Sequence, residues 1–310
     1  MLFFWFLLIV CILLIFVLTT AYICFRKAFY VSRRKPVDPE LFDLPDGKIY
    51  EPYWESMKRW TQETRTMPHR DFHITSFDGL DLYGKYYEFS PDAPMELMFH
   101  GYRGSAERDL SGAVQRCFKL GHNALIVDQR CSGRSGGNVI TFGILEHKDC
   151  LAWVDFVCRH FGSDTKILLT GISMGASTVM MAGGAHLPEN VIGILADCGY
   201  TSPKEIICKV IRQMGLPAKL AYPFVKLGAR LFGGFSLEEN SPIEAMVRCR
   251  VPVLFFHGED DRYVPCQMSW DNYTACAARK KLVTVPAAGH GLSYLLATET
   301  YLSAVKEFFH

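Results

Sequence analysis

The chain has 310 residues, 49% hydrophobic and 13% aromatic, which suffices for a large core, sits near the upper size of one α/β domain and excludes a disulfide-stapled miniature. Its formal charge of +1 hides an imbalance: residues 1–37 hold Arg26, Lys27, Arg33, Arg34 and Lys35 and no acid, while the rest carries 28 basic and 32 acidic residues with no basic stripe, excluding a nucleic-acid partner. The eleven cysteines include no C-x-x-C pair, and Cys11 and Cys24 lie in an apolar run, so they read as reduced thiols rather than a disulfide framework.

Residues 2–25 are 24 uncharged positions rich in Leu, Ile, Phe and Val. At 1.5 Å per residue they reach roughly 36 Å, more than the ~30 Å hydrocarbon core of a bilayer. A cleaved signal peptide would carry its basic residues before a shorter apolar run. Here they follow a longer one, so residues 1–25 are expected to be an uncleaved, single-pass transmembrane anchor with the lipid bilayer as partner. The basic flank places the body on the cytoplasmic side. Residues 26–70 then read as a juxtamembrane connector, broken by Pro36, Pro39, Pro45 and Pro52. Within it Tyr53, Met57 and Trp60 recur at helical spacing and predict an amphipathic helix over 53–64, packed on the body or lying on the lipid surface.

The body, 71–310, opens with alternating segments at 71–76 and 82–87 around Asp78-Gly79, an antiparallel hairpin. Short apolar strands follow at 96–99, 124–127, 166–170, 191–196, 252–256 and 281–285. Helices are expected at 108–120, 144–161, 174–183, one long segment 203–232, 267–278 and 293–308. Such alternation predicts an α/β fold: a mostly parallel sheet with helices on both faces, preceded by the antiparallel hairpin. Some fifty residues separate the strand at 191–196 from the one at 252–256.

Gly171-Ile172-Ser173-Met174-Gly175 lies between the strand ending at Thr170 and a helix of small residues. A strand that turns sharply through Gly-x-Ser-x-Gly exposes the serine hydroxyl, and side chains at the glycines would collide with neighbouring backbone. Five residues alone say little; partners in the right order say more. A serine nucleophile needs a base and an acid that orients it, each after a strand, in the order Ser, acid, His. Asp260 or Asp261 follows the strand at 252–256, and His290 follows the last strand between Gly289 and Gly291. The oxyanion donors expected are the N–H of Met174 and an N–H of the loop after Phe99, that of Tyr102. His100 reads as a brace of that loop, and Arg103 as exposed or ion-paired rather than a substrate contact. Neither H-E-x-x-H nor other close His/Cys spacing occurs, nor G-x-G-x-x-G or a P-loop, so neither a metal nor a cofactor is expected.

The segments His100-Gly101-Tyr102-Arg103-Gly104, Asp128-Gln129-Arg130-Cys131-Ser132-Gly133-Arg134-Ser135-Gly136, Gly171 to Gly175, Ala196 to Ser202, His257-Gly258-Glu259-Asp260-Asp261-Arg262-Tyr263-Val264-Pro265 and Gly289-His290-Gly291 together resemble the α/β-hydrolase superfamily over about residues 70–310. In particular they look like its bacterial membrane-anchored members related to the serine-aminopeptidase-like branch. The resemblance implies the α/β-hydrolase fold and a triad of Ser173, Asp261 and His290, with the acid at Asp261 from its spacing to Gly258 and Val264. It makes Asp128 and Asp197 loop-bracing residues. Cys131-Ser132 departs from the Gly-His or Ala-His of many relatives, in a loop that is structural in the family. It also implies a small helical cap at 203–245, whose apolar side chains, with Tyr200, Tyr222 and Phe224 as the substrate-binding residues, would line an acyl pocket over Ser173. The expected activity is a membrane-anchored serine hydrolase, a carboxylesterase or lipase-like enzyme cleaving small-to-medium acyl esters through an acyl-enzyme. The alternatives are an amidase or aminopeptidase on the same triad and a catalytically silent, membrane-tethered binding module.

Overall fold

The computed structural model describes residues 1–32 and 41–309. Arg33, Arg34 and Lys35 of the basic cluster, with Pro36 and Pro39 of the connector, lie outside the described residues. Eight strands make one sheet: β1 (Arg70–Thr75), β2 (Asp81–Tyr87), β3 (Met95–Phe99), β4 (Asn123–Val127), β5 (Ile167–Ile172), β6 (Val191–Asp197), β7 (Val253–Gly258) and β8 (Lys280–Val285). Their spatial order is β1-β2-β4-β3-β5-β6-β7-β8. β1 and β2 pair antiparallel, β2 runs antiparallel to β4, and every later pairing is parallel. The fold is that of an α/β hydrolase with an N-terminal antiparallel hairpin. Strands β3, β4 and β7 are buried at every residue, as a sheet covered on both faces requires.

The helices are α1 (Leu2–Ala28), α2 (Trp54–Thr66), α3 (Ala106–Leu120), α4 (Glu146–Phe161), α5 (Met174–Gly183), α6 (Pro203–Gln213), α7 (Ala218–Phe232), α8 (Pro242–Arg248), α9 (Gln267–Ala275), α10 (Ser293–Leu296) and α11 (Thr298–Phe309). The single segment expected over 203–232 is two helices, because Gly215 turns left-handed at φ +74° and Pro217 begins the next helix as its N-cap. The helix expected over 293–308 is likewise broken at Ala297. The α8 helix was not expected, yet Ser241 caps it: its Oγ accepts from Glu244 N at 3.4 Å and donates to Glu244 Oε2 at 2.8 Å.

α1 has a mean hydropathy of 3.2 over its most apolar window, and residues 2–16 are all exposed. A helix of this length and composition fits a bilayer span and a signal sequence alike. Its last turns are docked. Ala21, Phe25 and Phe29 are buried, the latter two in a cluster with Ile206, Ile207, Tyr222, Val225 and Phe235. At Gly228 a Cβ would lie 2.4 Å from the Ala21 carbonyl oxygen, so only glycine lets α7 approach α1 this closely. The amphipathic helix of the connector, α2, lies on the body. Trp60 covers Gly112 of α3, where a Cβ would come within 2.5 Å of the indole, and Arg65 pairs with Glu107 at 2.7 Å.

Candidate active site

In the sheet order the chain steps from β3 outward to β4 and then crosses to β5 on the other side, so the C-terminal ends of β3 and β5 bound a crevice. Such a switch point is where open α/β sheets bind ligands. Ser173 stands there, at φ +57°, ψ −118°, directly before α5. This strained backbone persists because its surroundings leave no alternative. Ser173 N donates to Asp197 O at 2.8 Å, and a Cβ on Gly175 would stand 2.0 Å from Phe99 O. The turn therefore packs against the end of β3 and points the hydroxyl outward.

The three side chains singled out after β5, β7 and β8 meet at this edge. His290 Nε2 lies 2.9 Å from Ser173 Oγ, and His290 Nδ1 lies 2.6 Å from Asp261 Oδ2. Asp261 is buried, whereas its neighbour Asp260 is exposed. Asp261 Oδ1 accepts from Tyr263 N at 2.7 Å and Val264 N at 2.9 Å. Burial alone would raise the Asp261 pKa, but His257, His290 and the Val264 N–H outweigh it and hold the carboxyl well below the usual carboxylate range. An ionised Asp261 accepts the Nδ1 proton, leaving Nε2 to accept from the Ser173 hydroxyl. This is the geometry that general-base activation of an alcohol requires.

The loop after β3 lies against Ser173: a Cβ on Gly101 would stand 3.5 Å from Ser173 Cβ. Two residues hold the loop. His100 is fully buried, and its Nε2 accepts from Gln129 N at 3.0 Å, so Nδ1 carries the proton and donates to Gly101 O at 2.8 Å. Asp109 Oδ2 accepts from Gly101 N at 2.9 Å, an anchor that the sequence did not suggest. Among the described residues no hydrogen bond engages the N–H of Tyr102. Met174 is the first residue of α5, so its N–H is one of the four a helix leaves unpaired. Arg103, expected to be exposed or ion-paired, is half-buried and donates to the carbonyls of Lys27 and Tyr30, and the Tyr102 hydroxyl donates to Ala28 O at 2.7 Å. Asp128 and Asp197 do brace loops, Asp128 through Ala106 N and Arg134 N, Asp197 through Ser293 Oγ.

A cavity of about 510 Å³ opens on Ser173 and His290. Its cover corrects an expectation. Tyr200, Tyr222 and Phe224 do not line it. The Tyr200 hydroxyl is spent on Phe142 O, Tyr222 is buried with its hydroxyl toward Glu238, and the Phe224 ring meets Phe16 of α1. The insertion has turned its apolar side to α1 and α5. The wall is instead supplied by the connector, through Ile49, Tyr50, Met57 and Trp60, together with Tyr263 and Leu295. Tyr50, kept protonated mainly by burial, donates its hydroxyl to His290 O at 3.0 Å. Met57 and Trp60 belong to the amphipathic helix the sequence predicted, but nothing in the sequence marked Tyr50, whose partner lies 240 residues away.

The one trio of potential metal ligands among the described residues is Cys198, Asp261 and His290. Asp261 and His290 are already bonded to each other, and burial pushes the Cys198 thiol pKa well up, so it stays protonated. Asp261 and His290 belong to the serine's hydrogen-bonded chain, and Cys198 is a buried thiol beside them.

No family model matches the chain. The YqkD protein of Bacillus subtilis is 30% identical over 240 residues, covering 76% of this chain and 78% of its own length. The α/β hydrolase domain-containing protein WAV2 of Arabidopsis thaliana is 25% identical over 258 residues, covering 77% of this chain and 78% of its own. Among solved structures, an esterase of Pyrococcus furiosus superposes with a TM-score of 0.66 at 23% identity, covering 86% of this chain and 96% of its own.

Proposed function

The chain belongs to the α/β-hydrolase superfamily, and from that premise we propose that it is a membrane-anchored serine hydrolase that cleaves small-to-medium acyl esters through an acyl-enzyme. The observation that carries the reading is the unbroken series from Ser173 Oγ through His290 to a buried, ionised Asp261. Ser173 Oγ attacks the substrate carbonyl carbon while its proton passes to His290 Nε2. The oxyanion accepts hydrogen bonds from the N–H groups of Tyr102 and Met174. The alkoxide leaves with the proton held by His290. A water then gives a proton to His290 and attacks the acyl carbon, and the carboxylic acid departs as Ser173 recovers its proton. Asp261 stays ionised throughout and stabilises the imidazolium.

A cavity of about 510 Å³ walled by Ile49, Met57, Trp60 and Leu295 suits an acyl chain of modest length. The choice of ester over amide rests on the easier departure of an alkoxide and on the esterase among the structural relatives. The anchor rests on the exposed apolar length of α1, and the cytoplasmic side on Arg26 and Lys27 in its last turn, with Arg33 to Lys35 beyond. Labelling with a fluorophosphonate probe tests the chemistry: wild type is labelled and Ser173→Ala is not. Absence of wild-type labelling would favour the silent module. Turnover of p-nitrophenyl anilides but not of matched esters would transfer the assignment to an amidase.

A further inference from the structure

If α1 spans a bilayer, the contacts along α1 say where the body must lie. A hydrocarbon core of ~30 Å takes about 20 helical residues, which counted from Leu2 runs through Ala21. The part of α1 clear of the body, residues 2–15, reaches only about 21 Å. The remaining length is flanked by α7: Phe16 meets Phe224 with ring centroids 6.3 Å apart, Ala21 lies under Gly228, and Tyr22 meets Phe232 at 5.2 Å. The two helices run in the same direction, so the start of α7 and the α6–α7 turn reach deeper still, by about 9 Å beyond Phe224.

What that turn presents suits lipid. Every residue from Arg212 to Pro217 is exposed, with Met214 60%, Leu216 48% and Leu220 69% exposed to solvent. Residues 206–237 hold Lys209, Arg212, Lys219, Lys226 and Arg230 and no acidic residue. Arg212 and Lys219 flank the apolar tip, where long cationic side chains reach back to head groups while their stems stay among acyl chains. Resting on the anchor reading given above, we propose that the α6–α7 turn, residues 212–224, penetrates the same leaflet that receives α1, with Met214, Leu216, Leu220 and Phe224 among acyl chains and Arg212 and Lys219 at anionic head groups. The body is then seated in the membrane surface rather than hung from a tether.

Tryptophan quenching of the full chain tests this in vesicles of phosphatidylcholine and phosphatidylglycerol whose acyl chains carry bromine near the head-group end. Wild type against Trp5→Phe reports insertion of α1. In the Trp5→Phe background, Leu220→Trp adds a reporter at the turn and Val247→Trp adds one on an exposed position of α8, which packs on α5 and α9. The added emission at 220 is expected to fall by about half, with that at 247 unchanged. An unquenched 220 beside a quenched Trp5 overturns the seated body and leaves the anchor standing. An unquenched Trp5 overturns the anchor and this proposal with it. Equal quenching at 220 and 247 overturns the specific docking of the turn.

Discussion

Two segments outside the sheet compete to cover the Ser173 edge, and they divide the work differently from what their composition suggests. The insertion of α6 and α7 is rich in Ile, Phe and Tyr, yet its side chains face α1 and α5 and none of Tyr200, Tyr222 and Phe224 reaches the cavity. The connector is proline-broken and far less apolar, and it walls the cavity through Ile49, Tyr50, Met57 and Trp60. The difference teaches that apolar content shows that a segment must be buried, not against what. In a chain that also carries an exposed apolar helix, the richest insertion is claimed by that helix.

The comparison presupposes that chemistry happens under the connector, and the largest expected effects test this. Ser173→Ala should lower kcat for a p-nitrophenyl ester by about 10⁶-fold, and Asp261→Asn by about 10⁴-fold, since the imidazole loses the partner that fixes its tautomer. Asp261 also predicts a pH signature. Its folded pKa lies below the ordinary value near ~3.9, so its stabilisation is complete above that value and lost as pH falls through the lower folded one. The stability advantage of wild type over Asp261→Asn, from urea unfolding at a series of pH values, should be constant above about pH 5 and shrink below about pH 4.

The division of labour itself is broken or sharpened by the next pair. Trp60→Ala should raise KM for a hexanoyl ester by about tenfold while leaving an acetyl ester little changed, because only the longer chain reaches the indole. Phe224→Ala should leave KM for both esters within about twofold. The reverse pattern would return the acyl pocket to the insertion. Tyr50→Phe removes one hydrogen bond to the His290 loop and should cost about fivefold in kcat/KM, roughly 1 kcal/mol. Smallest in turnover is Gly228→Ala: it forces α7 away from Ala21 and should lower Tm by about 3 °C with kcat/KM unchanged.

Much of this architecture was legible because it is local. Each strand of the parallel sheet is a short apolar run bounded by turn residues, and Gly171 to Gly175 encodes its own bend. The order Ser173, Asp261, His290 could be proposed because each side chain follows a strand whose end lies on one edge. Two signals were present and passed over: Gly215-Leu216-Pro217, which ends one helix and starts another, and Ser241-Pro242-Ile243-Glu244, which caps α8. The cover of the cavity was not legible. Tyr50 meets His290 only through the folded chain, and the positions of Trp60 and Phe224 are decided by which neighbour, α3 or α1, each helix packs against.

The carbonyls of Lys27, Ala28 and Tyr30 carry a practical consequence. Cutting the chain after Tyr30's neighbourhood to obtain a soluble protein removes acceptors of the Tyr102 phenol and the Arg103 guanidinium, in the loop whose Tyr102 N–H is proposed to meet the oxyanion. On the proposed mechanism a trimmed protein is expected to turn over an ester more slowly than the full chain, so a rate taken on the former sets a lower bound for the latter.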